Sequence, residues 1–329
     1  MKKVSLTGIK PTGTPHLGNY LGAIRPALEL SKTYDTVYFI ADYHALTTVQ
    51  NGAEMRANIY KIAATWLALG LNPEEGLFYK QSDIPEIFEL SWALSCFTPK
   101  GFMNRAHAYK AKVEANTAAG EDADANVNMG LYCYPCLMDA DILMFNADIV
   151  PVGKDQKQHL EVTRDLAQKF NNAYGEIFKM PDAYIPETVA TIPGTDGQKM
   201  SKSYHNTIEL FEDAKSIKKK VMAIVTDSKT MEEPKEPEGN SIYELYKLFA
   251  TPDEVAEMAK NFRAGNYGYG HAKKALLEAY HRLFDPFRAR REELAKDPDA
   301  LEDILRAGAA KARAAAAPTM EKVRAAVGL

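Results

Sequence analysis

The sequence predicts an α/β protein, a Rossmann-type doubly wound parallel sheet with an inserted segment, followed by a C-terminal helical domain. Three observations predict it. Short β-branched and aromatic runs alternate with longer helical periods through the first half, strand patterns stop after residue 203, and residues 98–130 fit neither pattern. Residues 4–9, 37–41, 77–81 and 149–152 read as buried strands, because such runs suit strands covered on both faces. Residues 20–31, 53–69, 85–97, 137–145 and 155–174 carry the helical period between and beyond them. The resulting β-α-β-α order implies parallel pairing, with ligands at the carboxyl ends of the strands.

Residues 98–130 are polar, Ala-rich and increasingly acidic, which reads as an insertion between the halves of the sheet, helical at first and mobile around 120–124. After residue 203, Ile217, Val221, Ile224 and Val225 share one helical face while Lys215, Lys218 and Lys219 share another. A charged Pro/Gly loop starts at Lys229, "GNYGYG" at Gly265 reads as a helix-ending loop, and further helices follow to Leu329. The expected division is 1–203 for a Rossmann-type domain and 204–329 for a helical one.

With 329 residues, 46% of them apolar, the chain can fill a substantial core. Its net charge of −4 argues against a uniformly basic nucleic-acid coat but allows local basic faces. Three cysteines, Cys96, Cys133 and Cys136, suit a reducing compartment. "CYPC" cannot complete a four-thiolate zinc site, so a buried turn at a helix start is expected there and no metal ligands are assigned. The opening "MKKVSLTGIKP" has the charge of a signal segment, but Lys10-Pro11 breaks its apolar run. No segment is long enough to span a bilayer, so a cytoplasmic protein with no membrane partner is expected.

The stretch "GIKPTGTPHLGNYLGA" runs from a strand through a Gly/Pro loop into a helix. Backbone N–H groups and the positive helix end then face whatever sits at the strand end, which favours a phosphate or carboxylate. Neither a Walker loop nor a dinucleotide Gly pattern is present in this turn. Far downstream, "GQKMSKSYHN" holds two lysines three apart on a bendable loop. His16-Leu17-Gly18-Asn19 resembles the His-Ile-Gly-His signature of class I aminoacyl-tRNA synthetases, and Lys199-Met200-Ser201-Lys202-Ser203 matches their second signature letter for letter. Taken separately, the lysines could form a solvated turn and His16 could be a cap or a core histidine.

The resemblance implies that an amino-acid carboxylate attacks the α-phosphorus of ATP and expels pyrophosphate. That carboxylate is ionised at neutral pH, so the step needs no general base, only positioning and charge stabilisation. By the same resemblance Lys199 and Lys202 close over the triphosphate, with Met200, Ser201 and Ser203 in the same loop. His16, Gly18 and Asn19 hold the nucleotide, and Mg2+ arrives with ATP, bridging its phosphates.

On a helix, Asp141 is surrounded by Leu137, Met138, Met144 and Phe145. A buried carboxylate without a donor is costly, so the fold or a ligand must supply one. An indole offers one N–H donor and no acceptor, and a phenol can also donate, so this reading excludes phenylalanine and leaves tryptophan and tyrosine. Asp139, on the opposite face, reads as structural or helix-capping. The segments around Tyr134, from Val150 and at Thr226 resemble bacterial tryptophanyl-tRNA synthetases over nearly the whole chain. This implies a tryptophan pocket of Leu6, His44, Tyr134, Met138, Asp141, Val152 and Gln156. It also implies ATP contacts at Lys10, Pro11, Thr12, Gly153, Lys154, Asp155 and Ile192.

Three departures stand out: Lys10 where the family usually has glutamine, Leu6 in place of an aromatic, and Pro26 inside the first helix, where proline costs ~3 kcal/mol or forces a kink. The implied partners are ATP, L-tryptophan and tRNA(Trp), in a homodimer with its contact within 85–130 and with tRNA met by the helical domain. Lys215 to Lys220, Arg288, Arg290 and Arg291 are the candidate tRNA contacts. The rival readings are a tyrosyl-tRNA synthetase and a non-catalytic synthetase-like protein that binds RNA or senses an amino acid.

Overall fold

A computed structural model describes residues 2–153, 157–185, 192–201 and 204–329. Five parallel strands form one sheet in the order β3-β2-β1-β4-β5, with β1 at Val4–Ile9, β2 at Asp35–Ile40, β3 at Leu77–Lys80, β4 at Ile149–Pro151 and β5 at Asp182–Tyr184. The chain steps outward from β1 to β3 and then resumes on the other side of β1 at β4. The ends of β1 and β4 therefore flank the switch point where doubly wound sheets bind ligands. Four strands lie where the apolar runs place them; β5 is only three residues long and carries no run of that kind.

The chain divides into two compact units that do not follow the break at residue 203. The first comprises residues 1–13, 26–186 and 297–329, and the second 14–25 and 187–296. The last helix, Pro298–Val327, belongs with the sheet for a packing reason: it lies against edge strand β3 so closely that a Cβ on Gly308 would fall 1.8 Å from the Phe78 carbonyl oxygen. Lys80–Glu302, Arg313–Glu86 and Arg324–Glu89 pairs flank that contact. A helix laid on an edge strand blocks further strand pairing.

In the first unit, Leu6, Val37, Phe39, Tyr79, Ile142 and Val150 belong to one buried cluster. The helix Met129–Met144 starts eight residues before the apolar period suggests and runs through Pro135. Cys133 and Cys136 consequently lie inside this helix, exposed and buried respectively, and not in a start turn. The insertion forms the helix His107–Ala118, and Asn116 at its end donates to the carbonyls of Ala123 and Ala125, tying down the return segment.

In the second unit, Ile208, Ile217, Val221, Phe262, Leu276 and Phe284 are buried. The basic helix, Ala214–Met222, buries Ile217 and Val221 and exposes Lys215, Lys218 and Lys219, but it ends before Val225, which is exposed. Gly265, with φ +75°, ends the helix Pro252–Ala264. A π-helical turn at Tyr20–Ile24 ends two residues before Pro26; widening a turn is one way a helix accommodates a proline with no N–H to donate.

Candidate active site

The first unit contains a cavity of about 490 Å³ at the carboxyl ends of the central strands, and it collects residues that are far apart in the chain. Leu6, Gly8 and Lys10 come from β1 and its end, His44 from the turn after β2, Tyr134, Met138 and Asp141 from one face of a helix, and Val152 and Gly153 from the end of β4. A Cβ on Gly8 would meet the Phe39 ring at 2.4 Å, so glycine keeps this wall thin. Leu6 is buried and lines the cavity despite the expected aromatic being absent.

Asp141 is buried among apolar neighbours, and desolvation raises its pKa. The fold gives it donors. His44 Nε2 lies 2.8 Å from Oδ2, and the side-chain amide of Gln81 reaches both carboxylate oxygens at 2.9 Å. These hydrogen bonds oppose the shift, favouring the ionised form. An ionised carboxylate has about four acceptor positions, so a further donor can be accommodated from the cavity side. His44 is thus a partner of Asp141.

Tyr134 Oη is 3.2 Å from His159 Nε2, and Lys10 Nζ lies 5.7 Å from the centre of the Tyr134 ring. Lys10 is accessible to solvent, yet the surrounding walls remove enough water to lower its pKa. Pro11 is buried and Thr12 exposed just beyond it. Asp139 is buried mid-helix, not at a cap; its Oδ1 accepts from Thr163 Oγ1 at 2.6 Å and its Oδ2 has no partner among the described residues. Burial lifts its pKa to about 7.

In the second unit, His16 is the N-cap of the first helix. Its Nδ1 accepts from the Gly18 N–H at 3.0 Å, and its own N–H donates to Asn19 Oδ1 at 3.0 Å. With Nδ1 accepting, a neutral ring carries its proton on Nε2. A Cβ on Gly18 would lie 2.7 Å from His16 Cε1, so only glycine fits under the ring. The lysine segment forms a hairpin in which Pro193 pairs with Lys199 and the Met200 N–H donates to the Ile192 carbonyl at 2.8 Å. Met200 is buried, which leaves the Lys199 side chain exposed on the other face. Lys154, Asp155, Gln156, Lys202 and Ser203 lie outside the described residues. Among the described residues no group of three or more His, Cys, Asp or Glu side chains is placed to hold a metal ion, and no helix is long and apolar enough to cross a membrane.

Residues 2–285 match the family described as tRNA synthetases class I (W and Y). The chain belongs to this family. Tryptophan–tRNA ligases of Bordetella parapertussis and Pseudomonas aeruginosa are 54% and 52% identical to it, each over 98% of this chain and over 72% and 73% of their own lengths. A Campylobacter jejuni tryptophanyl-tRNA synthetase solved with ADP and tryptophan superposes with a TM-score of 0.90 at 44% identity, covering 99% of this chain and 100% of that one. The sequence reading lacked Gly8 and Ala108 of the cavity wall, and it lacked Gln81, which is buried and holds Asp141. Only Gln81 carried a signal: it is a polar residue directly after a buried parallel strand, where site residues concentrate.

Proposed function

We propose that this protein is a tryptophan–tRNA ligase, which activates L-tryptophan with ATP to tryptophanyl-adenylate, releases pyrophosphate, and transfers the aminoacyl group to tRNA(Trp). The observation that carries the choice of amino acid is the buried Asp141 carboxylate, held by His44 and Gln81 at an otherwise largely apolar cavity. An indole N–H completes the hydrogen bonding of this acceptor, and a phenyl ring leaves it wanting. The identity with curated tryptophan–tRNA ligases supports the same choice over tyrosine.

In this reading Leu6, Met138 and Val152 pack the ring, with Gln156 in the same pocket, and Tyr134 and Lys10 stand at the substrate's polar end. The reacting carboxylate is already an anion, so the protein's task is to hold it in line with the α-phosphate and to offset charge growing on the phosphoryl oxygens. Lys199 and Lys202 supply that charge, and the turn formed by His16, Gly18 and Asn19 holds the nucleotide. Pro11, Thr12, Gly153, Lys154, Asp155 and Ile192 complete its contacts, and Met200, Ser201 and Ser203 shape the loop. Mg2+ travels with ATP on the phosphates.

Residues 204–329 supply the tRNA surface. The exposed lysines of the helix Ala214–Met222 and the exposed Arg290 are its contacts; Arg291, seated over the Phe211 ring, and Arg288, paired with Asp285, are engaged in their own unit. Trp92 is 75% exposed and Phe88 packs edge-on against Tyr43, an apolar surface within 85–130 that supports a homodimer. ATP–pyrophosphate exchange with a panel of amino acids tests the function: tryptophan supports exchange, and exchange with tyrosine alone, or with none, rejects it.

A further inference from the structure

We infer that Asn206 is a positioning residue for amino-acid activation, because its side chain fixes the hairpin that presents Lys199. The inference rests on the reading that Lys199 acts on the phosphates of ATP. Asn206 is 2% exposed and uses its whole amide on that hairpin. Its Oδ1 accepts from the Ser201 N–H at 2.8 Å, and its Nδ2 donates to Asp196 Oδ1 at 2.7 Å and to the Lys199 carbonyl at 3.1 Å. The Asn206 carbonyl accepts from the Thr195 N–H at 3.0 Å. One planar group thus grips the turn, the backbone of Lys199 and the residue two beyond it. Only a primary amide offers an acceptor and two donors in that arrangement.

The hairpin is shaped to receive this amide. A Cβ on Gly194 would fall 2.3 Å from Asn206 Nδ2, so the glycine is what lets the side chain reach the turn. Gly197, with φ +82°, closes the turn beside it. Two residues after Asn206, the Ile208 carbonyl accepts from the Leu17 N–H at 2.9 Å, and the Leu210 N–H donates to the Pro15 carbonyl at 3.1 Å. Residues 206–210 therefore link the lysine hairpin to the His16 turn, and they do so within one compact unit. A cation that must meet a phosphoryl group in transit gains from a fixed base, since misplacement by about 1 Å can cost on the order of 100-fold in rate.

The test compares Asn206→Asp, which keeps size and the Oδ1 acceptor but turns the donor into an acceptor facing Asp196 and the Lys199 carbonyl, with Asn206→Ala and Lys199→Ala. Asp196→Ala, at an exposed residue, serves as a variant that threatens the fold least. The readouts are kcat for ATP–pyrophosphate exchange, KM for ATP and for tryptophan, and the midpoint of thermal unfolding. Both Asn206 variants are expected to lower kcat roughly 10- to 100-fold, with KM for tryptophan within about twofold of wild type. Asp196→Ala should lose several-fold in the same direction. In a Lys199→Ala background the Asn206→Asp loss should largely vanish, because the two residues act through one loop.

Wild-type exchange in Lys199→Ala would remove the reading on which the inference rests. Impaired Lys199→Ala beside a normally folded Asn206→Asp of wild-type kcat would overturn the inference alone. Losses that add across the double variant, or a KM for tryptophan that rises with the fall in kcat, would assign Asn206 a general structural role and also overturn it.

Discussion

The side-chain amide of Gln81 reaches both oxygens of Asp141 at 2.9 Å while its own oxygen lies 3.4 Å from the His44 backbone nitrogen, joining the end of one strand to the turn after another. Gln81→Leu takes this donor from a buried carboxylate. A hydrogen bond to a charged group contributes about 1.5–3 kcal/mol, so kcat/KM for tryptophan should fall roughly 10- to 100-fold. Asp141→Ala should instead erase discrimination, lowering the preference for tryptophan over phenylalanine in the exchange reaction. Unchanged selectivity in that variant would remove Asp141 from recognition.

Asp139 makes stability depend on pH. Its folded pKa, raised to about 7 by burial, exceeds the value near 4 of an unfolded aspartate. Between those values the native chain holds a proton that the unfolded chain has released, so stability is greatest at the acid end of the window, declines as pH rises and levels off above about 7. Asp139→Asn is neutral throughout and should flatten this dependence, matching wild type near pH 4 and exceeding it at pH 8 by on the order of 1–3 kcal/mol. Urea unfolding at the two pH values measures it; parallel curves for the two proteins would contradict the assignment.

Four strands and the helix face bearing Asp141 were legible because one-dimensional patterns encode them: apolar runs for buried parallel strands, and i±3 and i±4 neighbours for a helix. The partners of Asp141 were only half legible. His44 was named through the family resemblance, whereas Gln81, although polar and directly after a strand, is tied to Asp141 only when β3 lies beside β2 and brings its end under the helix. Asn206 lies in a polar stretch whose meaning depends on a hairpin folding back onto it. The helix Pro298–Val327 has an ordinary amphipathic pattern, and nothing local in it says that its apolar face meets a strand edge.

Trp92 offers a direct test of assembly. A large, mostly exposed indole near Phe88 and Tyr43 is unfavourable surface for a monomer and a suitable anchor for a second copy of the chain. In the proposed homodimer Trp92→Glu would bury a charge at such a contact, so wild type should sediment as a dimer and the variant shift towards the mass of one chain. If wild type and variant sediment alike, the proposed homodimer contact at Trp92 is rejected.

Gly308 tests whether the last helix supports the pocket from behind. Any side chain there collides with the Phe78 carbonyl, and because that atom is backbone, the helix or the strand must move. Overpacking of this kind costs about 1–3 kcal/mol, so Gly308→Ala should lower the unfolding midpoint in denaturant. Phe78 lies in β3, whose end leads directly into Lys80, paired with Glu302 of the same helix, and then into Gln81. A displaced strand would carry the Gln81 amide away from Asp141, and the affinity for tryptophan should weaken together with stability. Gly308→Ala with reduced stability and an unaltered KM for tryptophan would show that β3 yields locally, without transmitting the strain to its end.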